Sequence, residues 1–191
     1  DEEGNGPQVA PGTYEVIYQF NTWKDSTQLR VEMQPDVAWT NEDYVRYNEL
    51  LKRAQQLTKV TEEAMQQLRD AHKSIGLVRS ALTFAEDSLK KDMEASMDSL
   101  DKKMNAFEER LFGKEDQKGI NDDSHTLQSK LYTAFGHINE YANGTNATNA
   151  LNNAEGDINA WVKEVNEFIS GPYAEFRKRV EQQSFNYFKK P

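Results

Sequence analysis

Residues 41–112 contain no proline, and along them apolar side chains return every three or four positions. The first run is Tyr44, Tyr47, Leu51, Ala54, Leu57, Thr61, Ala64, Leu68, Ala71, Ile75, Val78, Leu82, Ala85. A second run is Met93, Met97, Leu100, Met104, Phe107, Leu111. This spacing is close to a heptad and lays one narrow stripe along a helix. A single helix over the whole stretch would exceed about 100 Å at about 1.5 Å per residue, more than the remaining chain can cover. The stretch therefore predicts an antiparallel helical hairpin with a long first arm. The turn is expected within residues 86–92, EDSLKKD, with Gly76 as the alternative hinge.

The start of the first helix is marked. Thr40 and Asp43 form a T-x-x-D capping signal, and Trp39 and Tyr44 stand where a hydrophobic staple would sit. Upstream the periodicity changes to two. Tyr14, Val16, Tyr18 and Phe20 alternate with Thr13, Glu15 and Gln19. Leu29, Val31 and Met33 alternate again after NTWKDST. This predicts a β-hairpin whose turn is NTWKDST. A lone hairpin is marginal in water, so it leans on the helices or belongs to a larger β layer.

Downstream, Leu127, Leu131, Ala134, Phe135, Ile138 and Tyr141 form a third helical stripe. Leu151, Ala154, Ile158, Trp161, Val165, Phe168 and Ile169 form a fourth. Gly171-Pro172 is expected to stop that helix and open a short one carrying Tyr173, Phe176 and Val180, with Phe185, Tyr187 and Phe188 beyond. The break YANGTNATN holds two N-x-T triplets, at Asn143 and Asn146, read here as turn and capping chemistry. The expected fold is mainly α: an elongated antiparallel bundle of four to five helices with an N-terminal β-hairpin. Residues 1–38 form the hairpin unit and residues 39–191 the helical unit.

Charge narrows the functions. Lys and Arg total 23 against 32 Asp and Glu, a net charge of −9. Such a surface repels phosphate backbones and anionic lipid, so neither nucleic acid nor membrane insertion is expected. Cysteine is absent, which excludes disulfides, Cys-ligated zinc and thiol nucleophiles. No run is apolar enough for a membrane helix. The first residue is Asp1 rather than Met, which reads as a processed chain or an excised piece.

Residues 109–131, ERLFGKEDQKGINDDSHTLQSKL, hold the densest polar cluster: Glu115, Asp116, Asp122, Asp123, Ser124 and His125. Carboxylates at alternate positions with a distal Glu would mark a calcium loop, and GINDDSHT lacks that spacing. Adjacent Asp122, Ser124 and His125 cannot form a triad without a scaffold, and no G-x-S-x-G elbow or phosphate loop occurs. The reading preferred is a joint, with Gly113 ending one helix and Asp122, Asp123 or Ser124 capping the next. His72, His125 and His137 lack partners at helical metal spacing and are assigned to packing or surface. Met93, Met97 and Met104 fit helix packing better than an adaptable groove. No catalytic, cofactor-binding or metal residue is expected. Trp23, placed in the hairpin turn, is the one candidate for stacking on a ligand such as a sugar ring.

The order of elements carries a resemblance. GPQVAPGTYEV contributes Gly6, Pro7, Val9, Pro11, Gly12 and Tyr14. The segment Leu111 to Gly119 and the residues Thr126, Leu127, Lys130 and Leu131 follow after the long hairpin. This resembles the C-terminal end of secreted Bacteroidetes proteins of the sortilin-type, BNR-repeat, glycosyl-hydrolase-like family. There a β-propeller comes first, then an Ig-like β segment, then a helical tail. Gln34-Pro35-Asp36 departs from the family's D-P-R. The resemblance implies an exported protein, periplasmic or at the cell surface. It implies a non-catalytic accessory or scaffolding module whose partners are the upstream propeller and another envelope protein. Any hydrolase chemistry would lie in the propeller, so no catalytic residue is carried over. The alternatives are a carbohydrate-binding module and a homodimeric coiled-coil spacer.

Overall fold

The structure is a computed structural model, and it describes residues 9–32, 39–84, 87–114, 125–141 and 144–183. Strands β1 (Gly12–Phe20) and β2 (Trp23–Val31) make an antiparallel hairpin. Helices follow as α1 (Asn41–Ala81), α2 (Asp87–Phe112), α3 (Leu127–Tyr141), α4 (Thr145–Phe168) and α5 (Ala174–Glu181). The fold is thus the mainly α bundle with an N-terminal hairpin that the periodicity predicts.

The five helices form three rods. Along α1, His72 and Arg79 meet Glu108 and Asp101 of α2, so α2 runs antiparallel. Farther back on α1, Tyr47 meets Asn139 near the end of α3, so α3 runs antiparallel too. Helices α2 and α3 therefore cover successive parts of α1 in one direction. Their 26 and 15 residues, together 41, match the 41 residues of α1, about 62 Å of helix. Helix α4 then returns parallel to α1: Arg53 pairs with Glu155, and Gln67 meets Asn166 two turns or more beyond.

The core lies between the rods. The α1 stripe is buried from Tyr44 to Ile75, with Leu50 and Met65 widening it. The stripe that a homodimeric spacer would need to leave open is covered by the chain's own helices. Met93, Met97 and Met104 are fully buried, so they pack the core and line no groove. All seven residues of the fourth stripe face inward, Ile169 less completely than the rest.

Local chemistry sets the helix ends. At the α1 start, Thr40 Oγ1 accepts from Asp43 N (3.2 Å), and Asp43 Oδ2 accepts from Thr40 N (2.8 Å). Trp39 packs on Tyr44 with ring centroids 5.1 Å apart. Capping box and staple are both present, as the sequence indicates.

Three boundaries differ from expectation. The turn after α1 comes earlier than 86–92: α1 ends at Ala81, a 3-10 turn covers Leu82–Phe84, and residues 87–92 are already α2. Leu89 packs on the core one turn before Met93, so DSLKKD, residues 87–92, is needed as helix. Gly76 is no hinge, because α1 passes through it. Gly171-Pro172 does not stop the fourth helix either. Ile169–Tyr173 forms a π turn with Pro172 inside it, and the helix continues into α5. Pro172 has no N–H to give the carbonyl four residues back, and an i→i+5 pattern steps over it. Finally, the hairpin turn is Asn21-Thr22 alone, with Asn21 at φ 54°, as the primed two-residue turns require at their first central position.

Candidate functional site

In the hairpin, directly paired residues share a face. One face carries Tyr14, Val16, Tyr18 and Phe20 from β1, with Trp23, Leu29 and Val31 from β2. Its only charge is Asp25, opposite Tyr18. The other face holds Thr13, Glu15, Gln19, Lys24, Ser26, Gln28 and Arg30 around a single Ile17. The apolar face is therefore sharply defined, and it is mostly open.

Tyr18 is 51% exposed, Phe20 75%, Trp23 58% and Leu29 52%. Only its base is sheltered. Val9, Ala10 and Tyr14 line a shallow cleft with Asn48, Leu51, Lys52 and Gln55 of α1, and the Tyr14 hydroxyl donates to Ala10 O (2.5 Å). Trp23 lies at the first position of β2 rather than within a long turn, directly opposite Phe20. The two rings make an aromatic tip, the most exposed large apolar surface on the hairpin.

The polar joint behaves as a helix link at both described ends. Gly113 takes φ 91° and its N–H donates to Glu109 O (2.9 Å), closing α2. The cap of α3 is Thr126 and not Asp122, Asp123 or Ser124: Thr126 Oγ1 accepts from Ser129 N (3.1 Å). Thr126 is buried, so a neutral hydroxyl suits the position better than a carboxylate would. Glu115, Asp116, Asp122, Asp123 and Ser124 lie outside the described residues, as do Asn143 and residues 184–191. Leu111 and Phe112 at the end of α2 and Leu127 and Leu131 of α3 border a cleft of about 390 Å³ with Met65 and Arg69.

Sequence spacing gave no sign of one further cluster. His72 of α1 is half-buried between Asp101 and Glu108 of α2, and Arg79 binds the second oxygen of Asp101 (2.7 Å). Asp101 and Glu108 are seven apart and so share a face of α2. Only the antiparallel pairing of α1 with α2 places His72 between them. His125 is exposed, His137 half-buried. Among the described residues no group of His, Asp and Glu is arranged to hold a metal ion. Asn146 sits exposed in the first turn of α4. Among the described residues no helix is long and apolar enough to cross a membrane.

Comparison with known proteins found no matching family model, curated protein or solved structure.

Proposed function

We propose that this chain is a non-catalytic interaction and scaffolding module whose docking element is the apolar face of the hairpin. The observation that carries the reading is the open row of Tyr18, Phe20, Trp23 and Leu29 on a two-stranded sheet. An isolated hairpin gains little stability alone, and a sheet face this apolar is normally packed against a second layer. Among the described residues no third strand pairs with either outer edge, so the ladder can be extended there. The partner that fits is a β domain presenting its own apolar sheet face. The resemblance of the GPQVAPGTYEV segment and the helical tail to sortilin-type, BNR-repeat proteins supplies its identity: an Ig-like β layer beside a propeller, in an exported, envelope-associated bacterial protein. The helical rods then act as a rigid spacer carrying a wet acidic surface.

Amide hydrogen exchange tests this on two proteins, the chain alone and a longer protein in which the proposed Ig-like β layer is joined ahead of it. The reading requires stronger protection of β1 and β2 and a blue-shifted Trp23 emission in the longer protein. Unchanged protection would overturn the docking role. Hydrolase activity of the present chain, lost on a point substitution, would overturn the non-catalytic role.

The Phe20–Trp23 tip favours a second reading, a carbohydrate-binding module in which these rings stack on sugars. Glycan binding that is lost in Trp23→Ala supports it, and no binding on a broad glycan array removes it.

A further inference from the structure

Asp25 is the one charge on the apolar face of the hairpin. It stands opposite Tyr18, with Trp23 two residues before it on the same face of β2 and Thr27 two residues after. Phe20 lies on the diagonal, within reach of a long side chain seated over the carboxylate. Asp25 Oδ1 accepts from the backbone N–H of Ser26 (2.8 Å), and Oδ2 meets no donor among the described residues. The hairpin's own cations do not supply one. Lys24 and Arg30 belong to the opposite face, where Arg30 pairs with Glu32 (3.2 Å).

In water this exposed carboxylate is hydrated. Under a second sheet layer it is not, because whatever covers Tyr18 and Trp23 also covers the residue between them. A carboxylate taken out of water without a counter-charge opposes the contact strongly. A face built to pack on purely apolar residues would hold an apolar or β-branched residue at this position. The group that completes the face is therefore a cation on the partner. Arginine fits better than lysine: its planar group donates to a carboxylate, stacks on aromatic rings and is the more weakly hydrated of the two. The chain's net charge of −9 favours a basic partner surface as well.

We infer that the partner's sheet face carries an arginine that pairs with Asp25 and stacks on the Tyr18 and Trp23 rings. Asp25 then sets the specificity of the hairpin. It admits a β layer with a cation in register and rejects a purely apolar one. It also rejects a second copy of this hairpin face, which brings another carboxylate and no cation. The inference rests on the docking role proposed above for the same face.

Two cyclised β-hairpin peptides test it. Each alternates valine, a test residue and valine on one face, with polar residues on the other. The test residue is arginine in one peptide and citrulline, its uncharged isostere, in the second. Binding to the full chain is read from the β1 and β2 amide signals and the Trp23 indole signal in NMR titrations. The arginine peptide should bind about tenfold more tightly than its citrulline twin. Asp25→Asn keeps the shape and the contact with Ser26 and should remove that ratio. Equal affinities for the two peptides, or a ratio that survives in Asp25→Asn, would overturn the arginine pairing and leave the docking role standing. Binding of neither peptide overturns the pairing too, while the docking role is decided separately by hydrogen exchange in the longer protein.

Discussion

Trp161 of α4 donates its indole Nε1–H to the backbone oxygen of Phe107 on α2 over 3.1 Å, and Trp161 is wholly buried. Phe107 also packs its ring on Phe168, centroids 5.7 Å apart, one face along α4. The bond satisfies the only polar atom of the tryptophan side chain, which is what allows so large a group into the centre. Truncation to Trp161→Ala should cost about 3–5 kcal/mol. Trp161→Phe, which keeps a ring and loses the donor, should cost about 2 kcal/mol. Urea unfolding checks both, and a Trp161→Phe loss near zero would show that the α2–α4 bond contributes nothing.

The capping box gives a pH prediction. The backbone N–H of Thr40, and then its hydroxyl, donate to Asp43 and hold that carboxyl below its ordinary value. Glu164 is also held low, first by its hydrogen bonds from Arg110. A carboxyl lowered in the folded state stabilises above its unfolded value and loses that effect as pH falls through the folded one. Stability should therefore decline on the acid side of about pH 4, less steeply in Asp43→Asn. Thr40→Ala should lose about 1 kcal/mol at neutral pH, measured by chemical denaturation.

Gly113 ends α2 with a positive φ of 91°, a conformation that strains any residue with a Cβ. Gly113→Ala should destabilise by about 1 kcal/mol, and Gly113→Asn by less. Equal stabilities of wild type and Gly113→Ala in denaturant titrations would mean that the link adopts another closure.

The hairpin tip should be separable from folding. Phe20 and Trp23 touch solvent more than protein, so Phe20→Thr with Trp23→Thr should leave helical unfolding within about 0.5 kcal/mol. The same pair should abolish association with a β-domain partner, read by sedimentation. A large stability loss would mean the tip already packs on the bundle.

Most of the helical architecture was legible. A stripe from Tyr44 to Leu82 at steps of three and four has one physical solution, since any other backbone would scatter those side chains over all faces. Thr40, Asp43, Trp39 and Tyr44 likewise act over a few residues, and such local signals read directly. Boundaries were harder. The helix nature of residues 87–92 depends on Leu89 reaching the core, and the Thr126 cap depends on which side chain is buried. Pro172 reads as a stop in one dimension, while the packed Phe168 and Phe176 on either side keep the helix going through a π turn.

A hairpin of period two, helices of period near three and a half, an acidic surface and the absence of thiol chemistry are all written in the chain. These follow from side-chain spacing and composition alone. Long-range packing settles that α2 and α3 share one rod opposite α1 and that His72 falls between Asp101 and Glu108. It also decided that the apolar hairpin face stays open, because whether an apolar row is core or surface depends on what packs against it. Contacts between residues far apart in the chain are set by how whole stripes pair, and no local pattern encodes that pairing.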